Sequence, residues 1–213
     1  MIQASGRPPM NILLVIHILS GTLALLSAAV ATLSAKGEKL HRFSGSVYFW
    51  SMTAIFVTAI PMSLITHNTF LLLVAVFSFY LAFAGMRFAK NRTGLPTLFD
   101  WLAVGLMIAS GIGMLLLSLV YYFSENTQYI VLLVFGFLAI LLGYGDYKSH
   151  RDRTAVGKQR LAKHLTSMLG GTIAVVTAVL VVNIEASPTW LWWVLPTFVI
   201  TPMIAYWNRK VIS

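Results

Sequence analysis

The sequence predicts an all-α, polytopic transmembrane bundle of seven helices, with the N-terminus outside and the C-terminus in the cytoplasm. Three observations carry that expectation. The first is composition: 213 residues, 58% hydrophobic and 10% charged, with a mean hydropathy of +0.83. A soluble domain has about a quarter charged residues, and a disordered chain needs low hydrophobicity and high charge. The second is the form of the apolar runs. They are continuous, not alternating, and approach the ~20 residues that a helix needs to cross a ~30 Å hydrocarbon core, which excludes barrel strands. The third is the placement of charge, taken up below.

The first segment covers residues 11–33. Arg7, the apolar stretch and the small residues at 27–31 (SAAVA) imitate a secretory signal with its cleavage site. The run exceeds the ~7–15 residues of a signal core, so it reads as a retained helix. A basic turn with Lys36, Lys39 and Arg42 leads into the second segment, 43–65. The third, 69–88, runs into Arg87, Lys90 and Arg92. The fourth, 98–121, opens with Asp100 and carries Gly111 and Gly113 as small-residue helix contacts. The fifth, 129–145, is closed by Asp146. A basic loop, 146–164, is the longest expected connection, with Lys148, Arg151, Arg153, Lys158, Arg160 and Lys163. The sixth segment is 165–183 and contains Gly170 and Gly171. The seventh is 190–207, followed by Arg209 and Lys210. Most of the six tryptophans fall near segment ends, as interfacial anchors do.

In a seven-helix alternation those four basic regions share one side and hold fourteen of the fifteen Lys and Arg residues. Only Arg7 is opposite. Basic residues stay in the cytoplasm, which sets the expected orientation. The net charge of +9 is therefore a topology signal. Its expected partners are the bilayer and its anionic headgroups, each Lys or Arg contributing ~1 kcal/mol. Nucleic acid is not expected, because the charge is spread over four regions without a binding motif. The chain has no cysteine, so disulfides, thiolate metal sites and thiol catalysis are excluded. Phosphate loops, H-E-x-x-H and G-x-S-x-G are absent as well.

Ionisable groups inside a bilayer are costly and need a partner or a purpose. Asp100 and Asp146 sit at the expected cytoplasmic edge, where pairing with loop cations is the ordinary reading. With no acid at mid-membrane, a proton pump is disfavoured. Among the histidines, His17 lies six residues inside the first segment, roughly 9 Å deep. Gly21 follows it at i+4, leaving room for a neighbour or a flat ligand. His41 and His164 begin the second and sixth segments at equal depth. Gly45 and Met168 follow them at i+4. If those helices were neighbours, His41 and His164 could share a b-type haem or a divalent metal ion, with Arg42, Arg160 and Lys163 near the haem propionates. A dihaem conduit is not expected, because His41 and His67 are ~39 Å apart along one helix. His67 and His150 read as solvated loop residues.

Residues 17–48, HILSGTLALLSAAVATLSAKGEKLHRFSGSVY, resemble the opening signature of a large uncharacterised family of bacterial multi-pass membrane proteins. That signature, H-x-x-x-G-x-x-A-L and then H-R-x-x-G-x-x-Y, falls on His17, Gly21, Ala24, Leu25, His41, Arg42, Gly45 and Tyr48. The sixth segment resembles the family's second histidine-bearing helix at His164, Met168 and Asn183. In some relatives a basic residue precedes that Met, where this chain has Ser167. The resemblance implies the bacterial inner membrane and brings no reaction with it.

Three functions stay open on the sequence. One is haem or metal binding through His41 and His164, with Arg42 and Met168 beside them. Another is transport or ligand binding in a cavity lined by His17, Gly21, Gly45 and Tyr48. The third is a scaffold or subunit without chemistry.

Overall fold

A computed structural model describes residues 8–213 of the chain. Arg7, the lone basic residue expected outside, lies beyond the described residues. These fold into seven helices: α1 (Pro8–Leu33), α2 (Lys39–Ile65), α3 (Thr69–Lys90), α4 (Leu98–Phe123), α5 (Tyr129–Arg151), α6 (Gly157–Asn183) and α7 (Thr189–Ile212). No strand occurs among the described residues. All seven helices are long and apolar enough to cross a membrane, which gives the chain the make-up of a multi-pass integral membrane protein.

The expected segments match these helices, and the differences concentrate at the basic ends. α2 starts four residues early, α5 runs six residues further and α6 starts eight residues early. The long basic loop expected at 146–164 is thus corrected to a five-residue turn, 152–156. Hydropathy marks where a helix leaves hydrocarbon. Lys, Arg and Gln are good helix formers, so the backbone continues past that point. As a result Asp146, His150, Lys163 and His164 all stand on helices.

Contacts divide the chain into two compact units, 1–75 and 76–213, the division falling within α3. In the first, α1 packs against α2. Ala24 and Ala28 of α1 and Met52 of α2 are buried, small residues on α1 permitting close helix approach. In the second unit α4 packs on α5, and α6 on α7. Leu169 and Ile173 of α6 form an apolar cluster with Ile204 of α7, backed by Leu165, Ile200 and Trp207.

The α4–α5 crossing depends on missing side chains. A Cβ on Gly111 would stand 2.9 Å from both Ala139 Cβ and Ile140 Cγ1, and 3.0 Å from the Gly136 carbonyl oxygen. The obstacle includes backbone, which cannot rotate away. At the basic end, α5 stops where Arg153 takes a φ of 53° and the Thr154 N–H donates to the Ser149 carbonyl at 3.0 Å. This left-handed stop turns the chain within five residues and presents α6 to α3 and α5. Gly94, with a φ of 71°, lies under that turn, where a Cβ would approach Val156 Cγ1 to 2.8 Å.

Replacing Gly111 with Val should lower stability by about 1–3 kcal/mol through overpacking of the α4–α5 crossing. Thermal unfolding in detergent micelles, compared with an exposed-face control such as Ile112→Val, measures the difference.

Candidate functional site

The polar side chains of the second unit gather around the last turns of α3. Arg87, one turn from the end of α3, forms a fork with Asp100 in the first turn of α4. Its Nε donates to Oδ1 and its Nη2 to Oδ2, both at 2.7 Å. Asp100 Oδ2 also accepts the Thr97 N–H at 2.7 Å and the Thr97 hydroxyl at 2.8 Å. One carboxylate thus closes the capping box of α4 and ties α4 to α3. Four donors hold it as the anion, which explains how Asp100 can be only 3% exposed.

Deeper along α3, Tyr80 donates its hydroxyl to Asp146 Oδ2 of α5 at 2.7 Å. Lys163 of α6 donates to the other oxygen, Oδ1, at 2.8 Å. Asp146 is 5% exposed, while the Lys163 side chain is 29% exposed. Three helices meet on this carboxylate. The pairing of both aspartates with cations matches the sequence expectation, but Lys163 serves from within a helix and not from a loop.

A third set of contacts lays α6 along α3. Arg160 donates through Nη1 to the Phe88 and Ala89 carbonyls, at 2.8 and 2.5 Å. These are among the last carbonyls of α3, which lack helical partners and carry the negative end of its dipole. One turn on, His164 Nδ1 donates to the Gly85 carbonyl at 2.8 Å. A further turn on, Met168 covers Gly85, where a Cβ would come within 2.8 Å of Met168 Cγ and Sδ and 3.1 Å of its backbone nitrogen. Arg160, His164 and Met168 are therefore one i, i+4, i+8 stripe facing α3.

In the first unit, His17 Nδ1 lies 2.9 Å from Thr58 Oγ1. Thr58 donates its own hydrogen to the Ala54 and Ile55 carbonyls, so the imidazole is the donor and ties α1 to α2. His41 Nδ1 donates to the Ala31 carbonyl at 2.9 Å, binding the start of α2 to the end of α1. Lys36 reaches that carbonyl too, and that of Thr32. Arg42 is exposed and Tyr48 is buried, both on α2. Around Gly21 and Gly45 a Cβ would meet nothing within 4 Å. Among the described residues no three His, Asp or Glu side chains come together as a metal-binding group.

No protein-family model, no curated protein and no solved structure matches this chain. In a membrane-spanning segment a buried ionisable pair is expensive to assemble, and such groups characteristically line ion or proton pathways. Tyr80 and Gly85 were not singled out by the sequence, since a Tyr or Gly in an apolar run resembles core. His150 read as solvated, yet it is 7% exposed. The only available signal for it was position: His150 follows Asp146 at i+4.

Arg87→Ala would leave the buried Asp100 without its cation, a loss of about 3 kcal/mol, the lower end for a buried pair because the guanidinium is 25% exposed. The paired replacement Arg87→Met with Asp100→Leu should recover much of that loss. A double-mutant cycle of micellar unfolding midpoints checks both.

Proposed function

We propose that this protein is a proton-coupled membrane carrier in which Asp146 takes up the proton. The observation that carries this reading is the sharing of one buried carboxylate between the Tyr80 hydroxyl and the Lys163 ammonium, at 2.7 and 2.8 Å, from three different helices. Protonation cancels the charge of Asp146 and leaves Lys163 without a counter-charge. An uncompensated, partly buried ammonium costs about 3 kcal/mol, equivalent to about 10²-fold in an equilibrium constant. That free energy favours moving α6 so that Lys163 reaches water, which gives the unit two arrangements that a proton selects between. The sequence alone disfavours proton coupling, because it places no acidic residue at mid-membrane. What supports the reading is the burial of Asp146 within α5, bonded to both α3 and α6.

We take the chain, on its His17-to-Tyr48 signature, as a member of the uncharacterised bacterial multi-pass family. Its basic ends then face the anionic headgroups on the cytoplasmic side of the inner membrane.

The absence of cysteine makes the test direct, because two introduced thiols can be labelled alone. Spin labels at Lys148→Cys on α5 and Leu161→Cys on α6, both exposed positions, should report a distance that changes as pH falls. Asp146→Asn should hold the low-pH distance at every pH. A distance independent of pH in the wild-type background would overturn the proposal.

A further inference from the structure

The outward side of α5 changes character along its length. Phe137, Leu141, Tyr144, Tyr147, Lys148 and Arg151 are all exposed, and their spacing places them on one helix face. The stripe runs from hydrocarbon through two phenol rings to two cations as it nears the basic end. Tyr144 and Tyr147 stack with centroids 6.3 Å apart and planes at 22°. They are the amphipathic rings that suit the level where acyl chains meet headgroups.

Beside this stripe the seam with α4 has a notch. Trp101 of α4 meets the Tyr147 ring edge-on at 5.7 Å and 66°. Two turns deeper, Ile108 closes the seam over Gly143 of α5, where a Cβ would stand 2.9 Å from Ile108 Cγ1. Gly105 lies between Trp101 and Ile108 on the same side of α4, by its i+4 and i−3 spacing from them. Yet Gly105 is exposed, and a Cβ added there would meet nothing within 4 Å. The seam is thus closed at Trp101 and at Ile108 and open at Gly105, roughly 6 Å from Trp101 toward the apolar middle of α4.

The cations above the notch differ from each other. Arg151 Nε donates to Asp152 Oδ1 at 2.8 Å, and its guanidinium lies 5.9 Å from the centre of the Tyr147 ring. Lys148 enters none of the ion pairs among the described residues. Lys148, Arg151 and Asp152 together carry one net positive charge, the complement of a single phosphodiester.

We propose that this seam binds one monoanionic phospholipid, with an acyl chain in the notch at Gly105 and the phosphate at Lys148. Attraction of headgroups to the basic ends needs charge alone. The notch adds a place for the chain, and chain and phosphate together distinguish a held lipid from those that surround the protein.

Native mass spectrometry tests this on the full chain released from micelles containing equimolar phosphatidylglycerol and phosphatidylethanolamine. Wild type should retain one lipid, with phosphatidylglycerol preferred. Lys148→Gln should lower phosphatidylglycerol occupancy about fivefold, the contribution of one Lys near an anionic surface. Gly105→Leu keeps every charge but fills the notch, and should lower occupancy by both lipids. Asp152→Asn releases the Arg151 fork toward the phosphate and should raise phosphatidylglycerol occupancy. Lys90→Gln, at an exposed position on the end of α3, should change nothing. The proposal is overturned if wild type retains no lipid, or if Lys90→Gln lowers occupancy as much as Lys148→Gln. Wild-type occupancy in Gly105→Leu, with unchanged thermal unfolding, overturns it as well. Both lysines are exposed, so their comparison decides the matter even where Gly105→Leu does not fold.

Discussion

The second unit depends on the requirement that polar groups in a bilayer be satisfied from within the protein. The last three turns of α3 meet it for their neighbours. Their Arg87 secures α4, their Tyr80 reaches α5, and their carbonyls at Gly85, Phe88 and Ala89 receive α6. Apolar contact in lipid is weakly directional, since tails and side chains are alike to a helix surface. Hydrogen bonds from named donors to named acceptors set the registers instead. The glycines permit it: Gly85 lets α6 approach, and Gly111 with Gly136 does the same for α4 and α5.

How much of this was legible in the sequence follows from what hydropathy measures. The existence of seven helices and several of their ends, such as Leu33, Ile65, Thr69, Leu98, Tyr129 and Asn183, were readable because an apolar run has to stop at a turn there. Ends rich in Lys and Arg were not, because charge ends the apolar signal without ending the helix. That single error moved Asp146, Lys163 and His164 from a supposed loop to helix interiors, and with them the centre of the chemistry. The pairing of Asp100 and Asp146 with cations was legible from the cost of burying charge. The choice of Arg87 and Lys163 as partners needed helix adjacency, which spacing along one chain does not encode.

The histidines show the same limit from another side. His17 stands out in the sequence as an imidazole inside a span, and His41 and His164 as imidazoles at equal depth where two helices begin. All three donate through Nδ1 across a helix pair, to Thr58, Ala31 and Gly85. One local act, a ring tying two helices, recurs in both units. His150 gives no such tie: its ring stacks on Phe88 at 5.4 Å and meets Trp101 edge-on at 5.8 Å.

The overrun of α5 and α6 beyond their apolar runs has a consequence for the lipid. Six additional residues on α5 and eight on α6 extend those helices by roughly 9 and 12 Å, so Asp146 and Lys163 stand beyond the apolar runs of their helices. Dielectric constant changes steeply over that distance. A thicker bilayer would draw the pair into hydrocarbon and tighten it, and a thinner one would wet and loosen it. Membrane thickness thus becomes a variable that sets how firmly Asp146 is held, independent of any residue in the chain.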